Sequence, residues 1–245
     1  MSALPGTTGR RRIYLLRHGH VDYFGREVRE SGHTDLVPLT PLGREQAKAS
    51  GAALAHVRFD KALSSGLPRT RETAEIVLAA NADAGHLTLG VDSDLVEIKG
   101  GSGLPRAKSR EELAARMAFE FDQAAEPGAR MMGGDVFADV QARASSAIRR
   151  LLAEPGWHTA LAVAHEGVNR LILSWMTGNA LKGVQAFEQD LACINILDFD
   201  MVPRADGGVG TEIFRSMIKA VNMTPYNFVK HGMNLTSLEA IFVRV

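Results

Sequence analysis

Arg17, His18, Gly19, His20 and Asp22 crowd the end of an apolar run, IYLLRHGHVD, at residues 13–22. Two chemistries use such a cluster. The spacing His-x-His-x-Asp offers imidazole and carboxylate ligands to a zinc hydrolase, whereas an arginine beside a histidine suits phosphoryl transfer to the imidazole. Ser64, Ser65 and Arg69 follow a second short apolar run, and His165 and Glu166 follow a third. Arg17, His18, Arg69 and His165 make two arginines and two histidines with few nearby acceptors, a set better matched to a phosphoryl group than to a divalent metal. The zinc reading, with His18, His20 and Asp22 as ligands, also has Tyr23 where such sites usually carry a further histidine. It would place Arg17 and Arg69 near the cation.

Periodicity indicates what must hold these residues. Residues 1–10 read as a flexible lead-in, and Ile13 to Leu16 as a buried strand. Thr40-Pro41 has the pattern of an N-cap followed by proline at the first helical position, opening a helix to about His56 with Ala47, Gly51 and Leu54 inward. Phe59 to Leu63 is a second strand candidate. A helix follows from Pro68, with Thr73, Ile76, Val77 and Ala80 on one face. Residues 99–110, KGGSGLPRAKSR, interrupt the rhythm. Helix candidates follow, with Ala114, Met117, Ala118 and Phe121 in one, and Val140, Ala144, Ala147, Ile148 and Leu151 in the other. Thr159 to Ala164, Cys193 to Phe199 and Thr211 to Lys219 read as further strands, with Val168, Leu171, Ile172 and Trp175 lining a helix after the first. Thr236 and Glu239 form a capping-box pattern for a short terminal helix. The alternation predicts an α/β fold, in which strand C-terminal ends gather the ligand.

Five blocks in order extend the argument: LLRHG at 15–19, LTPLGREQA at 39–47, SSGLPRTRETAEIV at 64–77, DLVE at 94–97 and AVAHEGVNRLIL at 162–173. In these the chain resembles the histidine phosphatase superfamily, the phosphoglycerate mutase-like enzymes, over roughly residues 12–200. The resemblance implies a three-layer α/β/α fold with a central, mostly parallel sheet, a single domain over 1–245, and a largely helical cap inserted at 99–135. It implies a metal-independent phosphomonoester hydrolase that needs no cofactor. His18 would be the nucleophile and carry the phosphoryl group; Arg17, Arg69 and His165 would surround its oxygens; Glu97 would protonate the leaving group and later activate water.

This chain departs from the family's pattern in three places. IKGGSG follows Glu97 in place of an aromatic or Gly-Trp pattern. His20 stands where Glu or Gln is frequent, either lining the pocket with Gly19 and Ser65 or exposed on a loop. Glu166 stands where glycine is usual; it is a candidate pocket-lining residue whose carboxylate would point away from a phosphate or pair with a cation, while an exposed glutamate at a helix N-terminus is the leading expectation. The helix after His165 offers first-turn N–H groups to an anion. The neighbouring activity, a phosphoglycerate mutase, carries an E-R-H-Y-G-type stretch that is missing here. A catalytically weak, phosphate-ester-binding regulatory protein is a third alternative. Arg106, Lys108 and Arg110 read as a solvated face, Met131-Met132 as core filling, and Cys193 as an inert buried thiol.

Lys+Arg and Asp+Glu both number 28, so no global field favours nucleic acid or a membrane surface, and any anion selectivity must be local. The partner expected is a phosphorylated small molecule. The single cysteine permits no intrachain disulfide, and no membrane-length apolar segment or leader pattern is evident, so a cytoplasmic location is expected.

Overall fold

Residues 5–23, 34–101, 119–208 and 210–230 are described by the computed structural model. Six strands form one sheet: β1 (Gly9–Arg17), β2 (Lys61–Ser64), β3 (Leu89–Val91), β4 (Thr159–Ala164), β5 (Ile194–Pro203) and β6 (Thr211–Met223). Their order is β3-β2-β4-β1-β5-β6. Four neighbours, β3, β2, β4 and β1, are parallel, while β5 runs antiparallel to β1 and β6 antiparallel to β5. The sheet is therefore mixed, with only β5 reversed. The long helices are α1 (Pro41–Leu54), α2 (Pro68–Ala79), α3 (Phe137–Ala153) and α4 (Glu166–Met176).

Both faces of the sheet are covered. Ile13 and Leu15 point to the side packed by α3 and α4, with Ile148, Leu152, Val168 and Ile172. Tyr14 and Leu16 point to the other side, with Leu54, Ala74 and Val77 of α1 and α2. Burial of both alternating sets explains why residues 13–16 of β1 form a continuous apolar run. Each fully buried Leu or Ile contributes about 1.5–3 kcal/mol. α1 begins as its residues dictate: the Thr40 side chain accepts from the Gly43 N–H, Pro41 opens the first turn, and Ala47, Gly51 and Leu54 are buried.

Several element readings shift. β2 starts at Lys61, and Phe59 is buried just ahead of it. The buried face of α2 uses Thr70, Thr73, Ala74 and Val77; Ala80 caps the helix and is exposed. β3, only three residues long, carries too short a pattern to read. β6 extends four residues beyond the reading, its pairing with β5 running on to Met223. Ala114, Met117, Ala118, Arg106, Lys108, Arg110, Thr236 and Glu239 lie outside the described residues, as does half of the 99–135 segment. Phe121 sits in a single 3-10 turn, Glu120–Gln123, with its ring against Phe137. Met131 is buried in the core and Met132 packs against it. Among the described residues, no helix is long and apolar enough to cross a membrane.

Parallel register sets the site. Arg17 pairs with Ala164, and Ser64 with Val163, so β1, β2 and β4 end at one level. The residues that follow them, His18, Ser65 and His165, emerge side by side.

Candidate active site

The turn after β1 is held mainly through its backbone. His18 N–H donates to Ala164 O (3.2 Å), Ala192 N–H donates to His18 O (3.0 Å), and Gly19 N–H donates to Thr73 Oγ1 (3.1 Å). A Cβ on Gly19 would lie 2.3 Å from Gly43 O, and one on Gly43 would lie 2.2 Å from His20 O. The two glycines thus permit the first turn of α1 to press directly on the chain after His18. That contact is the physical reason the glycines of LLRHG and LTPLG belong together.

His18 is buried, with Nδ1 2.7 Å from Gly19 O. A carbonyl only accepts, so Nδ1 carries a proton and the neutral ring keeps its lone pair on Nε2. Burial, then the charges of Arg17 and Arg69, hold the imidazole's pKa well below its ordinary value. His18 is a neutral base near pH 7. The His165 ring lies beside it, centroids 5.2 Å apart and nearly edge-on.

His165 sits in a side-chain relay. Its Nε2 is 2.8 Å from Ser65 Oγ, which is 2.9 Å from Thr70 Oγ1, and Thr70 donates to Leu67 O (2.9 Å). Because Thr70 gives its proton to Leu67, it accepts from Ser65, and Ser65 in turn accepts from His165 Nε2–H. Nδ1 is therefore the ring atom left for chemistry, and among the described residues it has no hydrogen-bond partner. Burial first, then His18 and the arginines, also pushes the pKa of His165 well below its ordinary value.

Arg17 and Arg69 are both buried. Arg17 Nη1 donates to Gln189 O (2.5 Å) and lies 3.1 Å from Glu166 Oε2. Arg69 leaves the first turn of α2, reaches Asp35 O (3.2 Å), and stacks over Tyr23 at 5.7 Å. Its Nε has no partner among the described residues.

Glu97 lies half-buried against the start of α4. Its carboxylate accepts from Ile98 N–H (3.0 Å), Gly167 N–H (3.3 Å) and Val168 N–H (3.2 Å). The helix N–H groups expected to bind a free anion hold Glu97 instead. Gly167 makes that approach feasible, since a Cβ there would lie 2.9 Å from Glu97 Oε1. The pKa of Glu97 is nevertheless raised, by burial first and by Glu166 second, against the lowering effect of these N–H groups and Arg17. Arg143 clamps the segment from α3, donating to Asp94 O (2.5 Å) and Glu97 O (3.4 Å).

At Glu166 the exposed reading fails and the cation-paired reading holds. Glu166 is buried and bridges Arg17 and Arg170, the latter at 2.8 Å, so its carboxylate is neutralised from both sides rather than exposed. His20 is half-buried and turns Nδ1 to Thr40 Oγ1 (2.8 Å), binding the loop to the N-cap of α1. Asp22 is exposed. Among the described residues no three His, Cys, Asp or Glu side chains gather as a metal-binding group. Cys193 is buried, its thiol pKa pushed up to about 12. Thr70, Arg143, Arg170 and Gln189 escaped sequence reasoning. Thr70 alone had a signal, its place beside Arg69 on the inner face of α2.

A sheet of this topology, with arginines and neutral imidazoles at the ends of neighbouring parallel strands, defines an α/β protein with a candidate oxyanion site. The model of the histidine phosphatase superfamily, branch 1, matches residues 13–202, and the chain belongs to that superfamily. It is 30% identical over 202 residues to the 2-carboxy-D-arabinitol-1-phosphatase of Triticum aestivum, covering 82% of this chain and 39% of that protein. It is 28% identical over 188 residues to the adenosylcobalamin/alpha-ribazole phosphatase of Salmonella typhi, covering 76% of this chain and 90% of that one. The chain thus spans about two fifths of the length of the first relative. The solved mycobacterial glucosyl-3-phosphoglycerate phosphatase is similar in fold, with a TM-score of 0.64 at 23% identity over 87% of this chain and 99% of that one. The alpha-ribazole phosphatase of Shigella flexneri gives 0.60 at 22% over 87% and 96%.

Proposed function

We propose that this chain is a metal-independent phosphomonoester hydrolase working through a phosphohistidine on His18. The observation that carries the reading is the His18 ring: Nδ1–H is tied to Gly19 O, and Nε2 bears the lone pair among Arg17, Arg69 and His165. Nε2 attacks phosphorus as the ester P–O bond breaks, and the Glu97 carboxyl gives its proton to the leaving oxygen. Arg17 and Arg69 stabilise the charge spread over the phosphoryl oxygens, and His165 joins them when its Nδ1 takes up a proton beside the bound dianion. Glu97, now a carboxylate, takes a proton from water. The water oxygen attacks phosphorus, the P–N bond breaks, and its electron pair returns to Nε2. The relatives named above are phosphatases, which supports a phosphorylated small molecule as substrate.

Rapid acid- and base-quench experiments with a labelled phosphate ester, in excess chelator, test this directly. The expected product is an acid-labile, base-stable phosphoenzyme that His18→Ala lacks, with kcat down at least about 10⁴-fold. Wild-type turnover by His18→Ala would overturn the mechanism.

A further inference from the structure

Among the groups around His18, Glu166 has no part in the steps above, yet it is buried to 6% exposure one residue after His165. Its two oxygens are divided between Arg17 Nη1 (3.1 Å) and Arg170 Nη2 (2.8 Å). The Arg170 guanidinium also lies 4.4 Å from the centre of the Phe121 ring. The next two residues, Gly167 and Val168, donate their N–H groups to Glu97, so the two carboxylates share one helix turn.

Other groups also act on Glu97. Arg17 approaches from β1, Tyr23 from the loop after it, Arg143 from α3, and Ile98 N–H from its own segment. The arginines and the three N–H bonds favour a charged Glu97; Glu166 opposes them. A phosphoryl cage needs arginines, but arginines leave less of its neighbouring acid protonated near neutral pH. We propose that Glu166 is a positioning residue which, clamped by Arg17 and Arg170, offsets the cage's positive charge beside Glu97. It thereby suits the site to phosphate esters of aliphatic alcohols, whose alkoxides leave only with a proton. The inference rests on the reading of Glu97 as the acid.

The test compares pH profiles of kcat/KM for glycerol 2-phosphate and p-nitrophenyl phosphate, whose nitrophenolate leaves without protonation. Glu166→Gln should move the alkaline limb for glycerol 2-phosphate about one pH unit lower. At pH 8 the ratio of glycerol to nitrophenyl ester turnover should fall about tenfold. Glu166→Asp, which keeps the charge, should restore both. Arg170→Met removes the opposing cation and should move the limb to higher pH, a readout that survives if Glu166→Gln fails to fold. Equal losses on both esters with an unmoved limb would mean a purely structural Glu166 and overturn the inference. Glu97→Gln separates the two readings: it should collapse the ester ratio, and a wild-type ratio would overturn the assignment of Glu97 itself and this inference with it.

Discussion

The turn after β1 and the turn after β4 carry the two histidines side by side, yet they are held in opposite ways. His18 is located by main chain: backbone bonds to Ala164 and Ala192, a ring bond to the carbonyl of its own neighbour, and direct backbone contact with α1 at Gly43. His165 is located by side chains, through Ser65 and Thr70. Its flank is set by Glu97 and Glu166, two carboxylates from different segments. The nucleophile proposed at His18 would need fixed geometry, and a backbone contact leaves no rotamer to relax. The proton transfer proposed for Glu97 would need tuned surroundings, which side chains supply in small increments.

This contrast can be broken most severely at the main-chain half. Gly19→Ala would drive a methyl to within 2.3 Å of Gly43 O, where only backbone movement relieves the clash. A loss of about 3 kcal/mol is expected, read as a lower urea midpoint. An unchanged midpoint would show that the α1 contact is slack. On the side-chain half, Ser65→Ala leaves His165 Nε2–H buried without its acceptor. It should lower kcat/KM about tenfold while the phosphohistidine still forms. Loss of the phosphoenzyme as well would place Ser65 in the nucleophile's own support.

One effect is common to both halves and builds gradually with each pH unit. His18 and His165 are both buried with folded-state pKa values well below 6.5. Below that pH the unfolded chain binds more protons than the folded one. Stability is thus full above about pH 6.5 and falls on acidification toward the folded-state values, by about 1.4 kcal/mol per pH unit for each histidine. Urea midpoints measured from pH 8 to pH 5 check this, and replacing either histidine should flatten the slope. A flat wild-type profile would mean that the rings are not buried neutral in solution.

Elements with long, regular patterns were legible in the sequence. Thr159–Ala164 is a strand over the whole span its apolar run suggested, and Thr40-Pro41 opens α1. β3 was not, because three edge residues, two of them exposed, carry no period. For the candidate site, residue types and order brought Arg17, His18, Ser65, Arg69, Glu97 and His165 into view. Glu166 was misjudged as exposed because charge at a helix N-terminus is ordinarily solvated; two arginines, one from β1 and one a turn along α4, bury it here.

By itself, then, the sequence determined the family, the α/β alternation and the chemical kind of each candidate group, since these follow from side-chain types and local period. Only the tertiary structure decided their states. Which imidazole nitrogen carries a proton depends on Gly19 O and Ser65, and what the first turn of α4 binds depends on Glu97, 70 residues upstream. Protonation, burial and charge balance are set by neighbours distant along the chain, and no local pattern encodes those distances.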